Sequence, residues 1–546
     1  MSRWPVYAAA GLLVLLSGMV LADESHQHDH GPVDLGKLGK VEFNTSCKAA
    51  VRAEFSRAVA MMHSFWYGPA EKAFQEIAAK DPKCGMAYWG VAMSNYHPLW
   101  APPTPEELRR GGEAAVKARA TGASTERERA FIEAIHAFYA DADKRDHATR
   151  AAAYEQEMAK VAAANPRDDE AAIFNALAIL GTASPNDKTY AKQKQAAEIL
   201  TRVLPTHAEH PGVAHYIIHS YDYPALAALA LPAARTYAKI APGSPHALHM
   251  PSHIFTRLGL WDESISSNMA SAQKARDYVR QVRPGSTSFD ELHAVDYLVY
   301  AYEQKGDDPK AAALIDQLAA VEEPAMHQHN FASAYAVASS PARHALERRR
   351  WADAAKLVPH PKFNWKPYPY AEANVHFARA IGAARSGDLN TAKQAMDRIA
   401  EIRQVLLEQK NAYWAEQAEI QRISAQAWLA QAAGLNDEAL RLMRAAADLE
   451  DKTEKHPVTP GPIIPARELL ADMLLENGQA AEALAEVERS LVVAPRRYAA
   501  TWLAARAAES AGNAQKAQAH YAELVALGGV SARPELEMAK TYLAKK

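Results

Sequence analysis

The residues GQAAEAL at positions 478–484 recur 34 residues later as GNAQKA at positions 512–517, and this recurrence is the strongest indication of the fold. Two further copies precede it, GDLNTA at residues 387–392 and GLNDEAL at residues 434–440. Each copy joins a glycine that ends one helix to a short polar turn and then to a small residue at which two packed helices can touch. The recurrence predicts a chain built from repeated helix pairs.

The composition around these turns is that of an all-α protein. Residues that favour helices are abundant, apolar residues recur at spacings of three and four, and strand-like alternation is scarce. The chain has 546 residues, 49% hydrophobic and 23% charged, which excludes disordered and collagen-like structure. With 61 Lys and Arg against 64 Asp and Glu, the formal charge of −3 argues against a nucleic-acid-binding protein.

The period and the residue pattern resemble the tetratricopeptide repeat (TPR) family. In one of the looser copies, Ala70 and Phe74 occupy the matching places and Pro82 closes the unit. The resemblance covers most of residues 51–546, in roughly eight to ten repeats. It implies an α-solenoid of antiparallel helix pairs, a TPR-like superhelix. It also implies a concave groove, lined by the first helix of each pair, that binds a peptide or a partner protein.

The chain divides into four predicted segments: a signal peptide at residues 1–22, a flexible histidine-containing segment at 23–46, an N-terminal TPR-like array with insertions at 47–368, and a regular C-terminal TPR array at 369–546. The first segment has Arg3, an apolar stretch and a cleavage point near Ala22. An uncleaved anchor is the alternative, but the stretch is shorter than the about 20 residues that span a membrane. We expect a periplasmic or secreted protein without a membrane span after cleavage.

The only two cysteines, Cys47 and Cys84, flank the first predicted helix pair. Cys47 precedes the first strong helical pattern and Cys84 follows the second, so the two lie close in an antiparallel pair. An exported protein can form disulfides. We expect a Cys47–Cys84 bridge, with two free thiols as the alternative.

The histidines, 22 in all, include a group that follows the repeat. The stretches PGVAHYIIH at residues 211–219 and PHALHMPSH at residues 245–253 share one pattern and lie 34 residues apart. Proline is expected at a helix start, and histidines four residues apart share one helix face. Packed helices lie about 8–10 Å apart. The sequence therefore predicts that four imidazoles converge, those of His215, His219, His249 and His253.

A divalent metal site is one interpretation of this quartet. Neutral imidazole is the commonest metal ligand near physiological pH, and nitrogen-only ligands favour Zn²⁺ or Cu²⁺ over Ca²⁺ or Mg²⁺. Three histidines with water would make an open site, and four a closed one. Packing between helices is the alternative interpretation. His293, Asp222 and Asp296 are further candidates, the two acids either as ligands or as carboxylates that orient an imidazole.

Three other residues are candidates for contact with a bound ligand. Trp100 and Trp365 lie beside prolines, and Arg343 could bind a carboxylate or form a salt bridge with a neighbouring helix. A proline-rich loop at residues 453–465 interrupts the repeats. It is either part of a binding face or a spacer.

Three functions follow from the sequence. We favour an exported solenoid that binds a peptide, partner protein or small molecule in its groove and carries the histidine-lined metal site. One alternative is a metal-dependent enzyme whose His-ligated Zn, Cu or Fe centre activates water or oxygen, and the other is a periplasmic metal-handling protein. The sequence has no Gly-rich phosphate loop, G-x-S-x-G elbow or HExxH, which favours binding over catalysis.

Overall fold

The computed structural model describes residues 35–99, 101–322, 326–327 and 331–545, with the backbone alone described at residues 326–327. The predicted signal peptide and Trp100 lie outside the described residues.

Within these ranges the chain forms 26 α-helices. The first thirteen are α1 (Arg52–His63), α2 (Tyr67–Lys80), α3 (Gly85–Tyr96), α4 (Pro105–Thr121), α5 (Glu126–Tyr139), α6 (His147–Ala164), α7 (Asp169–Leu180), α8 (Ala191–Val203), α9 (Pro211–Tyr221), α10 (Leu231–Ile240), α11 (Pro245–His249), α12 (Pro251–Arg257) and α13 (Trp261–Val282). The others are α14 (Phe289–Lys305), α15 (Asp308–Ala319), α16 (Phe331–Glu347), α17 (Trp351–Ala354), α18 (Pro369–Arg385), α19 (Leu389–Glu408), α20 (Ala412–Ala432), α21 (Asn436–Glu450), α22 (Ala466–Glu476), α23 (Ala480–Val493), α24 (Tyr498–Ser510), α25 (Ala514–Leu527) and α26 (Pro534–Ala544).

Helices that follow one another in the chain pack as antiparallel pairs, and the pairs stack into an α-solenoid. The predicted fold class is confirmed. In the described part of the chain, extended structure is limited to β1 (Thr287–Ser288) and β2 (Met326–His327), which pair in parallel. No described helix is both long and apolar enough to cross a lipid bilayer.

The glycines of the recurring turns end their helices in the left-handed backbone region. Gly478 and Gly512 have φ of 75° and 73°, a conformation that glycine adopts without a steric penalty. The next amide then turns back, so that the Gln479 N–H donates to the Leu474 carbonyl over 2.9 Å. This bond pairs a carbonyl that the helix end would leave unsatisfied.

One predicted first helix is broken in two. The stretch at residues 245–253 forms α11 and α12 rather than a single helix, and the break falls at Met250. Pro251 has no N–H to donate to residue 247, and its ring crowds that carbonyl, so the hydrogen-bond ladder is interrupted there.

The disulfide Cys47–Cys84 joins the segment before α1 to the start of α3, with the two Cα atoms 4.9 Å apart. It lies within a large hydrophobic core that extends from Leu38 to Ile217. A second large core extends from Ala334 to Ala539, across the predicted segment boundary between residues 368 and 369.

The C-terminal repeats pack back onto the middle of the chain. The Trp261 indole donates to the Arg496 carbonyl over 2.7 Å, and the Arg497 guanidinium donates to the Tyr300 hydroxyl over 2.8 Å. As a result α14 is buried along almost its whole length. The histidine pattern lies in this middle part of the chain, from α9 to α14.

Candidate metal centre

Four helices bring six histidines together. Pro211 and Pro245 are at the first positions of α9 and α11, where a missing N–H carries no penalty. The Ser244 hydroxyl caps α11 by accepting from the Ala247 N–H over 3.4 Å. The histidines form two groups of three whose potential ligand atoms lie within 4.8 Å of one another. The first triad is His215, His219 and His246, and the second triad is His249, His253 and His293.

The first triad joins α9 to α11. The Nε2 atom of His215 lies 3.1 Å from Nε2 of His219 and 3.2 Å from Nε2 of His246. The Nδ1 atom of His215 donates to the backbone carbonyl of His63 over 2.6 Å. This bond places the ring proton on Nδ1 and leaves the Nε2 lone pair facing the other two imidazoles.

An aromatic ring covers the first triad. The Phe65 ring lies 4.3 Å from the His215 ring, between centroids, and stacks on the rings of His219 and His246 at 5.4 and 5.6 Å. The Tyr237 ring also stacks on the His215 ring, at 5.1 Å between centroids. These rings hold the imidazoles in place and limit the access of water to them.

The second triad joins α11, α12 and α14. The Nε2 atoms of His249 and His253 are 3.0 Å apart, and the rings of His249 and His293 are 4.2 Å apart between centroids. The Nδ1 atom of His249 contacts Oδ1 of Asn268 at 2.6 Å. Because Nδ2 of Asn268 donates to the Ser264 carbonyl, the atom facing His249 is the amide oxygen, and Nδ1 of His249 carries the proton.

Asp222 fixes the second imidazole of this triad. Its Oδ2 atom accepts from Nδ1 of His253 over 3.0 Å, so the Nε2 lone pair of His253 faces that of His249. Arg257 and Lys455 also bind this carboxylate, at 2.9 and 3.0 Å. Burial opposes the ionisation of Asp222, but these two cations hold its pKa well below the usual range.

All six imidazoles are held in the neutral form at neutral pH. Burial lowers the pKa of His215 to about 3 and lowers the pKa of the other five as well. In His253 burial outweighs the opposing effect of the Asp222 carboxylate. Neutral imidazole is the form that binds a metal ion.

The two triads lie side by side. Ring centroids of His219 and His253 are 6.1 Å apart, and those of His246 and His249 are 6.0 Å apart. Two ions held by the triads would therefore be neighbours in one centre, which we call the six-histidine centre.

The predicted quartet is thus divided between two groups. His215 and His219 meet His246, whereas His249 and His253 meet His293. His246 was missed, although its spacing of three residues from His249 places it on nearly the same helix face. His293, a further candidate, completes the second triad.

The other predicted site residues have different surroundings. Asp222 holds His253 in place, whereas Asp296 accepts from Arg343 over 2.8 Å and from two serines of α16. Arg343 is fully buried in that ion pair. Trp365 packs on Phe363 and donates to the His360 carbonyl.

Among the described residues, two more groups of side chains have potential ligand atoms close enough together to hold a metal ion. His63, Glu170 and His210 form one, in which both imidazoles bond the carboxylate at 3.0 and 2.9 Å. In the other group Asp81 lies beside Cys47 and Cys84, whose sulfurs are joined in the disulfide. The six-histidine centre differs from both because its nitrogen atoms face one another without an acid between them.

The fold and the site together define a class, an α-solenoid of TPR-like helix pairs with a histidine-rich centre at its middle. No protein-family model and no curated protein matches the sequence. Solved structures that are similar include a tetratricopeptide repeat protein from Parabacteroides merdae, at 13% identity and a TM-score of 0.28, over 55% of this chain and 97% of that one.

Two further solved structures are also similar to this chain. Yeast Tom70 is 11% identical with a TM-score of 0.32, and the match covers 90% of this chain and 95% of that one. A chain of the APC/C hetero-tetramer Cut9–Hcn1 is 11% identical with a TM-score of 0.27, over 91% and 95%. At these identities the likeness concerns the fold alone.

Proposed function

We propose that this chain is a transition-metal protein that holds two divalent ions in the six-histidine centre, one in each triad. The observation that carries the proposal is the facing pair of Nε2 atoms in His249 and His253. Asn268 and Asp222 place both ring protons on Nδ1, so two lone pairs face each other at 3.0 Å.

A cation between these nitrogens accounts for their approach. Two lone pairs at this distance repel unless a proton or a metal ion is shared between them, and burial disfavours the proton. The Tyr297 hydroxyl lies 3.4 Å from Nε2 of His253 but donates to the Thr459 carbonyl at 3.0 Å. In a tetrahedral site with bonds of 2.0–2.1 Å, ligand nitrogens are about 3.3 Å apart. The separations of 3.0–3.2 Å in both triads are close to this value.

The ligand set favours Zn²⁺ or Cu²⁺. Imidazole binds the late first-row metals, whereas Ca²⁺ and Mg²⁺ require oxygen ligands. The Irving–Williams order places Cu²⁺ above Zn²⁺ in intrinsic affinity, so the metal supply decides which ion is bound.

Titration of metal-free, untagged protein with Zn²⁺ and with Cu²⁺ tests the proposal. We expect two equivalents to bind, and one equivalent each in His246→Ala and in His253→Ala. His520→Ala is the matched control, because this histidine lies on α25 beside Glu488 and should leave both equivalents intact. Circular dichroism of each variant checks that the fold is retained. Full binding in both His246→Ala and His253→Ala would contradict the ligand assignment.

A metal-dependent enzyme is the second candidate function, and the number of ligands favours it. Three protein ligands per ion leave a coordination position for water, as in catalytic zinc sites. Substitution with Co²⁺ followed by addition of azide tests for this position. A change in the visible absorption bands of Co²⁺ would support an open site, and unchanged bands would exclude one. A test for turnover follows only from the first result.

We also propose that the protein acts in the periplasm or outside the cell. The apolar leader before Ala22 and the Cys47–Cys84 disulfide support export. Expression of the full chain and N-terminal sequencing of the exported form tests this, and a mature protein that begins at Asp23 is expected. Retention of Met1 in a cytoplasmic product would contradict it. Binding of a peptide or protein partner in the groove stays a prediction from the family resemblance.

A further inference from the structure

A cavity of about 600 Å³ lies next to the six-histidine centre. Its walls come from α12, α14, α16 and α20–α23 and from the loop at residues 453–465. The loop that interrupts the repeats therefore lines a cavity. A volume of this size suits a small organic molecule.

The inner wall of the cavity carries more positive than negative charge. Arg257 and Lys455 line it, with side chains only 9% and 6% exposed, and both bind the single carboxylate of Asp222. Nearby, Lys188 is paired with Glu454 at 2.8 Å. Lys188, Arg257 and Lys455 thus face the two carboxylates of Asp222 and Glu454, so this wall carries one positive charge more than it carries negative charges.

The charges at the other end of the cavity offset one another. Arg467 and Arg489 bind Asp451 and the Glu486 carboxylate beside it. Burial raises the pKa of Glu450 to about 7, so this acid is only partly ionised at neutral pH. The surplus of positive charge is thus confined to the wall beside Asp222.

Aromatic side chains form the body of the cavity. Tyr335, Tyr413 and Trp414 line it together. The Trp414 ring is held by stacking on Tyr370 at 4.5 Å and on His456 at 5.2 Å. At the rim, Val492 and Val493 are 79% and 49% exposed, so the cavity opens to solvent between apolar side chains.

We propose that this cavity binds a small aromatic carboxylate, with its carboxylate on Lys455 and Arg257 and its ring against Trp414 and Tyr413. Arginine and lysine donors bind carboxylates by charge-assisted hydrogen bonds. Aromatic walls favour a planar ring over an aliphatic chain. The binding site extends beyond the metal centre and meets it at Asp222. The Oδ2 atom of Asp222 accepts from both His253 and Lys455, and its Oδ1 atom accepts from Arg257.

Isothermal titration calorimetry of metal-free protein with benzoate tests the inference. Acetate serves as a probe with the charge and no ring, and benzyl alcohol as a probe with the ring and no charge. We expect benzoate to bind at one site per chain, at least tenfold more tightly than either probe. Equal affinity for acetate and benzoate, equal affinity for benzyl alcohol and benzoate, or no binding of benzoate would overturn the inference. Because no metal is present, this result is independent of the metal titration.

Paired lysine variants locate the site. Lys455→Met should weaken benzoate binding at least tenfold, because it removes the buried charge. Lys452→Met is the matched control, since Lys452 is exposed in the same segment and lies outside the cavity wall. Lys455→Arg retains the charge and should bind within about threefold of the unmodified protein. If Lys455→Met fails to fold, Trp414→Leu replaces it, with the same tenfold loss expected. Binding unchanged in the variant that folds would contradict the assignment.

Discussion

At the scale of single residues, the site depends on three acceptors that fix the ring protons. The His63 carbonyl, Asn268 Oδ1 and Asp222 Oδ2 each bind an Nδ1–H and direct an Nε2 lone pair inward. Residues of this kind determine metal affinity because they set the tautomer and the basicity of the ligand.

Asn268→Leu should therefore weaken metal binding to the second triad by 10- to 100-fold. The apolar side chain removes the acceptor that holds the proton of His249 on Nδ1. Asn268→Asp keeps an oxygen in the same place and should retain tight binding. Competition with a chelator of known affinity measures both variants. Equal loss in the Leu and Asp variants would show that Asn268 acts through packing alone.

The six histidines of the centre make the metal-free protein sensitive to acid. The pKa of each of the six histidines of the centre is lower in the folded chain than the value near 6.5 of an exposed histidine, because of burial. Below pH 6.5 the unfolded state binds more protons, so the free energy of unfolding falls as the pH drops. The loss is about 1.4 kcal/mol per pH unit for each such histidine, until its folded-state pKa is reached.

Urea denaturation of the metal-free protein between pH 8 and pH 4 checks this dependence. Stability should be nearly constant above pH 7 and fall steeply between pH 6.5 and pH 4. Bound metal should move the fall to lower pH, because it competes with protons for the imidazoles. A free energy of unfolding that is flat down to pH 4 would contradict the neutral, buried histidines.

At the scale of the helices, the repeat could be predicted from the sequence, but the histidines that meet in space could not. Glycine turns and three- and four-residue spacing depend on local backbone geometry, so they are visible in residues 478–484 and 512–517. The break at Pro251 could also be expected from proline chemistry. Which imidazoles meet depends on how α9, α11, α12 and α14 are placed relative to one another, and that is set by packing across distant parts of the chain. His246 was therefore missed, and the cavity wall around Lys455 was not foreseen.

The disulfide links the segment before α1 to the start of α3, and its removal should destabilise α1–α3. It closes a loop of 37 residues between Cys47 and Cys84. The chain-entropy relation gives a stabilisation of about 4 kcal/mol for a loop of this length. In a Cys47→Ala, Cys84→Ala variant, amide hydrogen exchange in α1–α3 should accelerate, while exchange in α20–α23 stays unchanged. Acceleration spread evenly over both regions, or absent from α1–α3, would show that the bridge does not stabilise this end selectively.

At the scale of the whole molecule, buried charges join the C-terminal repeats to the middle of the chain. The Arg497 guanidinium lies between the carboxylates of Glu347 and Glu468 and also donates to Tyr300. It is fully buried, so its loss would leave two carboxylates without a cation between them. This contact holds α22 and the start of α24 against α14 and α16.

Arg497→Met should lower the free energy of unfolding by about 3–5 kcal/mol, as is typical when one partner of a buried ion pair is removed. Arg489→Met is the comparison, because its ion pairs are more than half exposed on the arginine side and should contribute about 1 kcal/mol or less. Equilibrium unfolding in urea measures both. A loss in Arg497→Met no larger than that in Arg489→Met would mean that apolar packing, and not the buried ion pairs, joins the C-terminal repeats to the middle of the chain.

The central claim is that six histidines of a helical solenoid hold two metal ions. X-ray absorption spectroscopy of untagged protein as purified, with the metal content measured on the same sample, tests it most directly. We predict two Zn or Cu ions per chain with nitrogen neighbours at about 2.0–2.1 Å and the outer scattering of imidazole rings. A chain that contains no stoichiometric metal, or an ion surrounded by oxygen or sulfur without imidazole scattering, would contradict the claim.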